Sequence, residues 1–144
     1  MGITRKSTGG GGGGTPSALQ AVKVRYDAAV NGGASGSAIS LHTFAAGTYI
    51  HSAYMIQVAA FVKGIGDPPS LSVGIVTATD LVPLTFYNAS VWALAYMTLI
   101  PNTSNGSYLA SGADLAVHVD DNNDQGVVSG QYDFVVFYFT PASL

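Results

Sequence analysis

The chain is predicted to be all-β: an antiparallel β-sandwich of about eight strands in jelly-roll form, with an extended flexible N-terminal arm. Three observations lead there. Several short runs alternate apolar and polar residues, the period of a half-buried strand. They recur roughly every 10 to 15 residues between clusters of Gly, Asn, Asp and Pro, as in sandwiches and barrels. No amphipathic helical stripe longer than about two turns is present. An immunoglobulin-like sandwich is the second choice of topology.

The arm comes first. Gly9 to Gly14 are six consecutive glycines. They have no side chains to bury and much backbone entropy to lose, so they read as a tether. Residues 1–16 are taken as the arm and 17–144 as the sandwich domain. Ala21–Asp27 then alternates, with Val22, Val24 and Tyr26 on one face and Lys23, Arg25 and Asp27 on the other. Asn31–Gly36 is a turn. Ser37–Phe44 is a strand with Ile39 and Leu41 in phase. Tyr49–Val62 is a long apolar run, read as a buried strand and its lead-in. Asp67-Pro-Pro69 stops it, because two prolines cannot extend a central strand.

Ser70–Thr77 alternates again, and Leu81–Tyr87 is a further strand. Asn88–Ile100 fits either a strand or a short helix. Pro101–Gly106 is a turn, Tyr108–Ser111 a short segment, and Ala113–Val119 an alternating strand. Asp120–Gly126 is a polar loop. The glycine-bearing stretch Val128-Ser-Gly130 reads as a turn. Gln131–Phe139 closes the chain as a strand rich in β-branched and aromatic residues. Phe137 is expected to be an apolar strand position whose replacement by aspartate prevents folding or assembly.

Composition narrows the function. The chain has 144 residues, one domain by length, of which 9% are charged and 48% hydrophobic. Mean hydropathy is +0.34. Yet no segment is long enough to span a bilayer, and no apolar stretch of a signal peptide follows the N-terminus. A charge-poor surface is usually covered by something, so an oligomer or a subunit of an assembly is expected. A net charge of -3 argues against a nucleic-acid partner. There is no cysteine, hence no disulfide and no thiolate chemistry.

No constellation reads as an active site. Asp120, Asn122 and Asp124 have the spacing of a calcium loop, but Gln125 and Gln131 stand where glycine and glutamate are needed. A solvated turn is the plainer reading. His42, His51 and His118 could contribute to a metal site, or simply sit on polar faces. No serine lies in a nucleophile elbow. No lysine follows the glycine run, so it is not a phosphate loop. Trp92 with Tyr87 and Tyr96 could stack on sugar; core or interface packing is the alternative. No metal, cofactor or catalytic residue is assigned.

A family resemblance adds to this. The segment Ala18-Leu-Gln-Ala-Val-Lys-Val-Arg-Tyr-Asp-Ala-Ala-Val-Asn-Gly-Gly33 resembles the first strand and turn of small tailed-phage structural proteins. The closing strand, Tyr132-Asp-Phe-Val-Val-Phe-Tyr-Phe139, is similar to theirs as well. Such proteins resemble head decoration, or cement, proteins. The likeness covers both ends of the body and nothing between Ala53 and Pro101. It implies a jelly-roll body, a homotrimer on the outer surface of the phage head, and an arm reaching the major capsid protein. Ile3, Arg5 and Lys6 are then the expected capsid-binding residues, and Trp92 and Tyr96 the expected oligomer-interface aromatics. The alternative is a carbohydrate-binding jelly roll of a phage fibre or adhesin.

Overall fold

The computed structural model describes residues 18–93, 97–99, 107–120 and 125–140. The expected arm therefore lies outside the described residues, with Ile3, Arg5 and Lys6; so do Tyr96 and residues 121–124.

Strand β1 (Gln20–Asp27) turns Val22, Val24 and Tyr26 inward, in the phase its alternation predicts. Asp27 then ends the strand and caps one turn of helix, α1 (Ala28–Asn31). The Ala29 amide donates to Asp27 Oδ1 at 3.0 Å, and the Asp27 amide donates to Asn31 Oδ1 at 2.7 Å. Such reciprocal side-chain bonds satisfy amides that a helix start leaves unpaired. Strand β2 (Ala38–Phe44) carries a bulge between Ser40 and His42. Strand β3 (Tyr49–Lys63) is the longest, at 15 residues.

Strand β4 (Ser70–Gly74) stops three residues short of the predicted end. The cause is Asp80, whose carboxylate accepts from the amides of Ile75 and Val76 at 2.8 and 2.9 Å. Those amides are thereby withdrawn from any ladder. Strand β5 (Val82–Phe86) follows. The ambiguous segment resolves into both alternatives, a helical turn α2 (Ser90–Ala93) and a short strand β6 (Met97–Leu99). Strands β7 (Ser107–Tyr108), β8 (Ala113–Val119) and β9 (Val127–Phe139) complete the chain.

The strands form two antiparallel sheets. Sheet one has the order β1-β9-β3-β6, with β7 also pairing β3; sheet two has the order β2-β8-β4-β5. Among these neighbours only β4 and β5 are consecutive in the sequence. The interleaved order is the double Greek key of a jelly roll. The two inner faces enclose the core, with Met55, Phe134 and Val136 from sheet one and Leu71, Leu115 and Val117 from sheet two.

Strand β9 starts at Val127 rather than Gln131, so the Val128–Gly130 stretch is strand and not turn. Gly130 serves packing there: a β-carbon on it would sit 2.5 Å from Phe61 Cδ1. The missing side chain lets the Phe61 ring press against the backbone of β9.

Candidate interaction surface

The residues that carried the resemblance lock the first and last strands together. In the β1–β9 register, Arg25 faces Asp133, Tyr26 faces Tyr132 and Asp27 faces Gln131. The outward pair is a forked ion pair. Arg25 Nε donates to Asp133 Oδ1 at 2.7 Å and Nη2 donates to Oδ2 at 3.0 Å. Lys23 Nζ stands 3.5 Å from the same carboxylate. Although Asp133 is only 5% exposed, the Arg25 hydrogen bonds hold its carboxyl below the usual range against the opposing effect of burial. The same bonds raise the guanidinium of Arg25. Between them, the Tyr26 hydroxyl donates to the Gly32 carbonyl at 2.8 Å, and Gln131 Nε2 donates to Asp27 Oδ2 at 2.8 Å.

The Asp133 shift has a consequence for acid stability. A carboxyl with a lowered folded-state pKa stabilises the fold fully at neutral pH. That stabilisation fades as pH falls below about 4 and through the folded pKa. Asp133→Asn should therefore be less stable than the parent at pH 7, and the gap should close on acidification. Urea midpoints measured for both proteins from neutral to acidic pH check this; a gap that stays constant with pH would overturn it.

Beside the ion pair lies an apolar area. Strand β9 places Tyr132, Phe134 and Val136 inward and Asp133, Val135 and Phe137 outward. Strand β3 adds Tyr54 and Ile56 opposite Val135 and Asp133. The Tyr54 and Phe137 rings meet edge to face at 5.6 Å. Tyr54, Ile56, Val135 and Phe137 line an open depression of about 260 Å³ and remain half-buried. Phe137 is thus on the outer face. Of the two effects expected of an aspartate there, lost folding or lost assembly, this placement favours the second, because the position is not enclosed by the core.

The outer face of sheet two is unlike this. A trough of about 500 Å³ runs over Ala38, Ser40, Ala116 and His118, with Asp114 and the β4–β5 connection at its sides. Thr43 Oγ1 donates to Asp114 Oδ1 at 2.8 Å. Hydrogen bonds from Ser40 and then Thr43 lower the Asp114 carboxyl. Strands β2, β4, β5 and β8 carry no lysine or arginine.

Trp92, expected at an oligomer interface, lies inside the sandwich instead. It is 2% exposed and packs on Phe61 and Tyr132, with ring centroids 5.2 and 5.8 Å away. Its carbonyl accepts from Gln57 Nε2 at 2.7 Å and from the Tyr132 hydroxyl at 3.0 Å. A ring so enclosed offers no face to a sugar. Asp120 is also used structurally: its Oδ1 accepts from the Ser70 amide at 2.9 Å. Among the described residues no group of three His, Cys, Asp or Glu is placed to hold a metal ion.

The described geometry contains a patterned surface and no catalytic constellation. No protein-family model matches the chain, and no curated protein matches its sequence. Solved structures do. A chain in the capsid asymmetric unit of cyanophage Pam1 superposes with a TM-score of 0.59 at 14% identity, over 96% of this chain and 94% of that one. A chain in the capsid of Ralstonia phage GP4 gives 0.55 at 15% identity, over 95% and 91%. A chain in the capsid of the Helicobacter pylori bacteriophage KHP30 gives 0.54 at 15% identity, over 87% and 90%.

The fold is one found in phage capsids. Coverage is high in both directions, so each matched chain is about the size of this one.

The outer apolar area carried a signal in the sequence. Phe134–Phe139 is apolar at every position. A strand with one solvated face alternates, whereas one covered on both faces reads as a continuous apolar run. Lys23, Arg25 and Asp133 carried a weaker signal, since cross-strand charge pairs emerge only once the register is known.

Proposed function

We propose that this chain is a structural virion protein that decorates the outer surface of a phage head and cements it by bridging major capsid subunits. The supporting observation is the likeness over nearly the whole chain to chains of about its size in three phage capsid structures. A small single jelly roll fits an added component better than the shell itself. The role is non-enzymatic, and the partners are the major capsid protein and two further copies of this chain.

In this reading residues 1–16 are the capsid-binding arm. Ile3 supplies an apolar anchor, and Arg5 and Lys6 pair with acidic capsid surface. A trimer multiplies the modest affinity of each arm. The sugar-binding alternative is weakened by the enclosure of Trp92, its main stacking ring.

Heads assembled without this chain provide the test. Purified protein should co-sediment with them. Deleting residues 1–14 should leave the melting temperature of the body unchanged and weaken capsid binding by at least about tenfold, the scale of a lost tethered contact. Equal occupancy with and without the arm would remove the arm's role, and no binding by the full chain would overturn the cement reading.

A further inference from the structure

We infer that the outer face of sheet one, centred on Tyr54, Ile56, Val135 and Phe137, is the surface through which copies of this chain pack against one another around a rotation axis. The number of copies, three, rests on the proposed cement reading; the choice of face does not.

Three observations select it. First, β9 is apolar on both sides. Its inward residues are covered by sheet two, while Val135 and Phe137 stay half-buried on the outside with Tyr54 and Ile56 beside them. Aromatic and aliphatic side chains in one contiguous area form the kind of centre an interface buries.

Second, the charges bordering this area suit a meeting of like with like. Around a rotation axis each group approaches its own copies, so unbalanced charge repels itself. Here Lys23 and Arg25 are balanced within their own chain by Asp133, which both flank, and by Asp27, whose charge also reaches Arg25. Burial next to this cluster strands no unpaired carboxylate, which is where association otherwise loses affinity. Lys23, whose side chain is 64% exposed, can keep its ammonium group in water at the rim.

Third, the opposite face lacks both properties. Its strands carry Asp114 and no lysine or arginine, so a self-contact there would bring carboxylates toward their own copies. Its trough interleaves the apolar Ala38, Val76 and Ala116 with Ser40, Thr77 and His118, so it offers no wholly apolar centre.

The chain contains no cysteine, so single cysteines report the contact directly. Val135→Cys should form a covalent dimer under mild oxidation, and Ser40→Cys on the other face should not. Phe137→Asp should remain folded, with an unchanged circular dichroism spectrum, and lose the higher mass of the parent in light scattering. Should Phe137→Asp fail to fold, the milder Val135→Thr is expected to stay folded and to dissociate at higher protein concentration than the parent. A parent that is monomeric at all concentrations would overturn the inference, as would cross-linking at Ser40→Cys in place of Val135→Cys. A monomer that still occupies heads would leave the cement reading standing; a self-associating protein that ignores heads would do the reverse.

Discussion

Phe61→Ala is expected to be the most damaging single truncation, lowering stability by about 3–5 kcal/mol. Phe61 is 7% exposed and touches three other rings: Tyr132 at 4.4 Å, Trp92 at 5.2 Å and Tyr26 at 6.1 Å. Its loss leaves a hole that cannot close easily, because Gly130 behind it has no side chain to fill the space. The melting temperature should drop by roughly 10–20 °C for a domain of this size. Trp92 is the only tryptophan, so its emission reports the same cluster and should shift to the red. A loss below about 1 kcal/mol would show that the rings do not act together.

Gly126→Ala comes next, at about 3 kcal/mol, because two penalties coincide. Gly126 has φ +71°, a conformation that L side chains rarely adopt. A β-carbon there would also lie 1.9 Å from the Gly33 carbonyl oxygen. That oxygen accepts from the Val127 amide at 2.9 Å, and the Gly126 carbonyl accepts from the Gly64 amide at 2.8 Å. Moving either backbone therefore breaks the connection that starts β9. Gly47→Ala is the matched control: its φ is +87°, but open space surrounds the added carbon. It should lose only about 1 kcal/mol, the strain alone. Equal losses at the two sites, measured by chemical denaturation, would rule out the backbone clash.

What could be read beforehand followed from which interactions are local. Ala21–Asp27 and Ala113–Val119 announced themselves because one face is buried and period two is imposed on the residues. The first four residues of β9 stayed hidden because Gly130 answers to a ring from β3, a tertiary demand that mimics turn composition. Phe137 was legible as a strand residue but its side was not, because an all-apolar run has no visible phase; Tyr132, Phe134 and Val136 set it only once paired. Trp92 posed a similar problem, since an aromatic buried in its own core and one buried by a partner look the same in composition. The outer face of sheet one combined both difficulties. It needs the β1–β9–β3 register before Arg25, Asp133, Tyr54 and Val135 become neighbours.

The pairing of β1 with β9 also sets when this protein can come into being. Arg25 and Asp133 are separated by 108 positions, and β9 lies between β1 and β3 in the sheet. During synthesis the first strand leaves the ribosome with no partner to receive it. Chains grow at roughly 5–20 residues per second, so for seconds the nascent molecule exposes β1 and β3 without the strand that joins them. A product truncated before Val127 loses the central connection of the sheet, not merely an end. A chain that ends before β9 leaves β1 and β3 without the strand that joins them, and is expected to be a substrate for proteolysis rather than a working fragment.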